Sequence, residues 1–213
     1  MCRGIVWAVA LGIALGAFSM IGDGLDPTTP LHVIVALANA AGPWLAIAFA
    51  VGALQGTPQR GGVAGAVALT TATFVYYLGI YAGGHQVAEV GRVMASWLAV
   101  SGVAGPLLGA AGGLWARSAG RPRSWSAAIL CGALLAEAVF RLIQIEGWAG
   151  IDLTRSDWQV AVADLLGGLL LPLFLVERSD RRWAYAATLL IATGGTLVIA
   201  GVTAAVLAFV QGG

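Results

Sequence analysis

The sequence has no lysine and only two cysteines, and just 10% of its residues are charged. Each shortage excludes something. A soluble domain averages about 25% charged residues, so this chain cannot coat a water-facing surface of ordinary polarity. Cys2 and Cys131 are too few and too far apart for a disulfide framework or a metal cluster. The net charge is +1, with no block of like charge, which excludes a nucleic-acid-binding surface. Long polar loops are missing too. The longest, 23–40, has fewer than twenty residues, leaving no room for a soluble catalytic domain. No phosphate-binding loop, dinucleotide fingerprint, nucleophile elbow or zinc motif occurs. Enzymatic activity, metal and cofactor are therefore not expected.

What is abundant is apolar sequence: 59% of 213 residues, with mean hydropathy +0.88. Crossing about 30 Å of hydrocarbon takes close to 20 helical residues. Six such stretches stand out, at about 4–22, 63–83, 93–116, 125–145, 159–176 and 184–210. A seventh lies in 31–55 and is interrupted by Gly42-Pro43 with Trp44 following. Because Pro breaks helices and Trp favours the membrane interface, we read a short surface or re-entrant helix over about 30–40 and a second span over about 41–57. A single kinked helix over 31–55 is the alternative.

Arginine placement sets the orientation. An N-terminus inside and a C-terminus outside puts Arg3, Arg60, Arg117, Arg121, Arg123, Arg178, Arg181 and Arg182 on the inner side. Only Arg92 and Arg155 fall in outer loops. Trp7, Trp115, Trp125 and Trp183 then mark inner ends, and Trp44, Trp97, Trp148 and Trp158 outer ends. The expected architecture is an all-α, polytopic transmembrane bundle of about seven spans, one domain over 1–213, in the bacterial inner membrane. The first segment is read as a span and not as a signal peptide, whose apolar core is only about 7–15 residues.

Intramembrane polar groups are the candidates for chemistry. Glu137, Arg141 and Gln144 share one face of the helix at 125–145. Each ion near the bilayer centre costs about 2.5–3.5 kcal/mol, so it needs a partner or water. Asp164, on the next helix, falls at a similar depth when counted down from Trp148 and Trp158. A Glu137–Arg141–Asp164 cluster open to the outside is therefore expected. Arg141 would hold an anionic group, with Glu137 and Asp164 orienting it or carrying a proton. The bland alternative is an ion-pair network that only fixes packing. A second stripe, Thr70, Thr73, Tyr77 and Tyr81, has Tyr81 at the interface. Thr73 and Tyr77 lie deeper, either lining a cavity or hydrogen-bonding within the bundle. His85 with Glu89, and His32 with Asp26, make a poor metal signal, and Asn39 reads as a helix cap. Small residues four apart (Ala10 and Ala14, Gly12 and Gly16, Gly105 and Gly109, Ala192, Thr196 and Ala200) suit close helix packing, or on the first helix a partner subunit.

Two stretches, Asn39 to Leu54 (NAAGPWLAIAFAVGAL) and Leu130 to Arg141 (LCGALLAEAVFR), resemble a family of bacterial multi-pass membrane proteins known only as a domain of unknown function. That resemblance implies a membrane bundle and no particular activity. More loosely, the size, the helix count and the Ala10/Ala14 pair resemble the substrate-binding membrane subunits of energy-coupling-factor vitamin transporters, which usually have six spans. Two functional readings follow: binding or transport of a small solute through an outward-facing polar pocket, or a non-transporting accessory or scaffold subunit. The partners are the lipid bilayer, with a small solute in the first case and a membrane subunit in the second.

Overall fold

The computed structural model describes residues 2–23, 37, 39–83, 87–145 and 155–211, and side chains at some helix ends, Gln144 and Asp157 among them, lie outside this set. Within it the elements are helices α1 (Cys2–Asp23), α2 (Ala41–Gln55), α3 (Pro58–Ala82), α4 (Val87–Arg117), α5 (Gly120–Ile145), α6 (Arg155–Leu175) and α7 (Arg181–Gln211). No strand occurs among the described residues. Six of the helices are long and apolar enough to cross a membrane, and α2 is the exception. The chain is a multi-pass, all-helical membrane protein.

The interior is made of small side chains, while the large apolar ones point outward. Phe174, Leu197 and Leu190 are 80%, 73% and 67% exposed, whereas the buried apolar set is mostly alanine. In lipid there is no hydrophobic drive for large residues to turn inward, and small ones let backbones touch. A Cβ on Gly109 of α4 would fall on the Gly61 carbonyl oxygen of α3 and 3.0 Å from Gly65 Cα. Gly12 and Gly16 seat α1 on α3 in the same way, against the carbonyls of Ala68 and Ala72. Ala10 and Ala14, two residues away and so on the far side of the helix, are exposed. Ala192 is buried and Thr196 Oγ1 reaches the Ala136 carbonyl at 3.4 Å, so that stripe of α7 packs on α5.

Helix α5 is the hub. Its span is 61% buried, against 17% for α7. It packs against α7, α6, α4 and α2.

The turns gather the arginines at one end. Gly56 closes α2 in a left-handed conformation (φ 64°), and Thr57 then caps α3 by accepting from Arg60 N at 3.4 Å, with Pro58 in the first turn. At the same end Arg123 lies over the Trp115 ring (4.6 Å) and Arg121 over that of Trp183 (5.1 Å). Trp115 Nε1 donates to the Leu175 carbonyl at 2.9 Å and Arg181 Nη2 to that of Leu173 at 2.8 Å. These donors occupy carbonyls in the last turn of α6, which has no intrahelical partners for them. We call this the basic end.

The helices at first differ in how they end. Most run past their apolar windows; α4, for example, starts at Val87 and not near 93. The second expected span does not reach its full length. It covers Ala41–Gln55, because Gly56 takes the left-handed turn. Its 15 residues rise about 22 Å, against about 37 Å for the 25 residues of α3. Ala40 precedes it with extended backbone (φ −72°, ψ 151°), so a continuous kinked helix over 31–55 is not what forms. The expected helix over 30–40 lies largely outside the described residues, of which only Leu37 and Asn39 are helical there. Gly105-Pro106 has the same dipeptide as Gly42-Pro43 yet lies inside α4, which continues through it.

Candidate functional site

Helix α2 starts inside the bundle because of its sequence. Pro43 and Gly42 fall in its first turn, where a missing N–H costs nothing. The turn leaves orphan N–H donors that lipid cannot satisfy. The residue in the N-cap position is Ala40, whose methyl group accepts no hydrogen bond. Asn39, the cap expected from the sequence, sits one residue too early and is exposed.

The acceptor comes from α5. Ala41 N donates to Glu137 Oε1 at 2.9 Å. The same oxygen accepts from Arg141 Nε at 3.1 Å and Nη2 at 2.9 Å, the expected pairing one helical turn apart. A carboxylate at a helix N-terminus is also favoured by the helix dipole. Glu137 thus joins two helices and a guanidinium through one atom.

Asp164 arrives from α6. Ala161 is fully buried, and a Cβ on Gly168 would press on Leu135 and the Cys131 carbonyl, so this face of α6 lies on α5. The Asp164 carboxyl meets the same turn of α2 as that of Glu137 and feels the charges of Glu137 and Arg141. Its Oδ1 occupies the place a side chain at residue 42 would need: a Cβ on Gly42 would fall on it. Glycine is required there for room. Glu137 and Asp164 are each 5% exposed, and the Arg141 side chain is 21% exposed. Among the described residues, Glu137 Oε2 and Asp164 Oδ2 are buried without a hydrogen-bond partner.

The structure therefore brings Glu137, Arg141 and Asp164 together at the first turn of α2. Asp164 lies nine residues into α6 and Glu137 eight before the end of α5, so both sit about 12–14 Å below the end opposite the basic one. Gln144 is on the same helix as Glu137, but its side chain is outside the described set. Thr73 hydrogen-bonds to Ser101 on α4 at 2.9 Å, both buried. Tyr77 packs edge-on to Tyr76 (4.8 Å), whose ring meets Trp44 at 6.5 Å. Tyr81 is 49% exposed. The side chains of His32, His85, Asp26 and Glu89 lie outside the described residues. A shallow apolar groove of about 340 Å³, lined by Trp158, Gln159, Val162, Ala163 and Leu166, lies on the outer face of α6.

Three participants were not anticipated from sequence. Ala41 acts only through its backbone and Gly42 only through lack of a side chain, so neither carries a chemical signature. Ser101 had a weak signal, a hydroxyl on the helix antiparallel to Thr73.

A family model matches residues 1–209. The chain belongs to this family of unknown function (DUF6518). Membership agrees with the resemblance carried by the Asn39–Leu54 and Leu130–Arg141 stretches, the two that meet at Ala41 and Glu137. No curated protein and no solved structure matches the chain, so the looser likeness to energy-coupling-factor subunits gains no support.

Proposed function

We propose that the protein binds or transports a small anionic solute in the bacterial inner membrane, with the N-terminus inside, the basic end cytoplasmic and Arg141 as the anion-binding group. The observation that carries this reading is where α2 starts. The first turn of α2 lies below the bundle's far end and meets a carboxyl–guanidinium cluster there. Broken helices whose ends point at buried charges near mid-membrane are how many carriers hold solutes and coupling ions. Arg141 is the most exposed member of the cluster, so it is the group an entering solute meets first. Glu137 fixes the guanidinium plane through Nε and Nη2.

A second reading is an accessory or scaffold subunit whose buried charges serve packing. It is favoured by the saturation of Glu137 Oε1, which takes three donors from within the protein.

The two are separated by thermal-shift measurements on purified protein with small carboxylates and inorganic phosphate. A ligand that stabilises the wild type and loses its effect in Arg141→Lys supports the first reading. No stabilisation of the wild type by any member of the panel, with Arg141→Lys less stable than wild type, overturns it in favour of the second.

A further inference from the structure

We propose that Asp164 and Glu137 hold one exchangeable proton between them, Asp164 as the acid and Glu137 as the anion, at the first turn of α2. This deepens the solute reading by naming a coupling ion, but it rests on separate observations. Two buried carboxyl groups, Glu137 and Asp164, meet the same turn of α2 with a single guanidinium beside them, and two like charges so placed in a bundle interior favour keeping one proton. The donors decide which group keeps it. Glu137 Oε1 accepts from Ala41 N, Arg141 Nε and Arg141 Nη2, all of which favour its anionic form. Asp164 Oδ2 has no partner among the described residues, and its Oδ1 lies against Gly42. With the proton on Asp164, the trio of Glu137, Arg141 and Asp164 is neutral.

The surroundings hold no competing charge among the described side chains. From α5 the facing groups are Glu137 and Arg141, and from α2 the positive helix end at Ala41 and Gly42. Helix α7 meets α6 through Tyr185 Oη on the Leu169 carbonyl and Arg181 on that of Leu173, both nearer the basic end. Proton loss leaves Asp164 charged beside the Glu137 anion. Glu137 is pinned by three donors, so Asp164 is the group that must move, and its seat on Gly42 moves with it. The proton thereby governs the contact between α6 and the start of α2. The exit is past Arg141, the cluster's exposed member.

The test is infrared spectroscopy of the purified protein in lipid, in neutral buffer without solute. The wild type should show a carboxylic-acid C=O stretch that shifts in D2O. It should shift again in protein made with carboxyl-¹³C aspartate, and stay in place with carboxyl-¹³C glutamate. Asp164→Asn should abolish the band, while Glu177→Gln at the exposed basic end leaves it. The isotope arms use the native chain, so they hold even if the variant fails to fold. Absence of an acid band, or a band that follows the glutamate label, overturns the proposal. Because no solute is present, failure of the anion-binding reading would leave the band intact, and loss of the band would leave that reading standing.

Discussion

The backbone N–H of Ala41 and the carboxylate of Glu137, 96 residues apart in the chain, meet at 2.9 Å, so a side chain of α5 caps the start of α2. A capping bond of this kind is ordinarily local, supplied by the residue just before the helix. Here the local position is Ala40, and the bond instead ties two helices together inside the membrane.

That bond makes Glu137 and Arg141 interdependent. Arg141→Met strands an anionic Glu137 in the interior, and losing one member of a buried pair typically costs about 3–5 kcal/mol. Arg141→Met with Glu137→Gln removes both charges and should recover a large part of this. A double-mutant cycle on thermal or denaturant unfolding in detergent reads the coupling. Strictly additive losses would mean the ion pair contributes nothing.

Gly42 should be intolerant for a nameable reason. Gly42→Ala places a methyl group on Asp164 Oδ1 and should cost about 1–3 kcal/mol, the usual range for overpacking. Combining it with Asp164→Ala, which clears the space, should cost less than the sum of the two single changes. Equal or greater loss in the double variant would show that the glycine serves some other need.

Helical glycines elsewhere should behave in opposite ways. Gly109→Ala drives a methyl group into the Gly61 carbonyl of α3 and should lower the melting temperature clearly. At Gly194 of α7 an added Cβ meets nothing within 4 Å. There alanine should be neutral or stabilising by up to about 1 kcal/mol, from helix propensity alone. Melting curves of the two variants, side by side, check the close approach of α3 and α4.

Orientation can be tested with an impermeant thiol reagent on intact cells. Cysteines at Ser118 and Ser179, in the turns of the basic end, should stay unlabelled, and one at Gly83, past the far end of α3, should react. Because Cys2 and Cys131 are native, the parent protein supplies the background. Labelling at Ser118 or Ser179 with protection at Gly83 would invert the bundle.

The ends of the bundle were legible from residue type alone. Arg and Trp have strong preferences at the membrane interface, and Trp115, Arg121, Arg123, Arg181 and Trp183 all gather where the turns collect them. Glu137 and Arg141 were legible because helical spacing puts them one turn apart, and Asp164 because depth can be counted from the interface. What lay hidden was the meeting of these charges with α2. Gly42-Pro43 reads as a break, but only the packed structure shows whether such a dipeptide is carried through, as inside α4, or becomes a helix start. The partner of Thr73 was obscure for a simpler reason: serines are frequent, and depth alone does not single out Ser101.

The capped start of α2 also sets an order of assembly. Ala41 leaves the ribosome long before Glu137 does. At about 5–20 residues per second, 96 residues take roughly 5–20 s to synthesise. During that interval α2 is already made, but its first turn has no carboxylate to receive it. The newly inserted α1 to α4 can close on their glycines at once, Gly52 of α2 against Gly109 of α4 among them, while the first turn of α2 waits for a carboxylate that does not yet exist. Stalling translation before α5 should therefore yield a fragment whose first three long helices are packed and whose α2 remains open to proteases at its start.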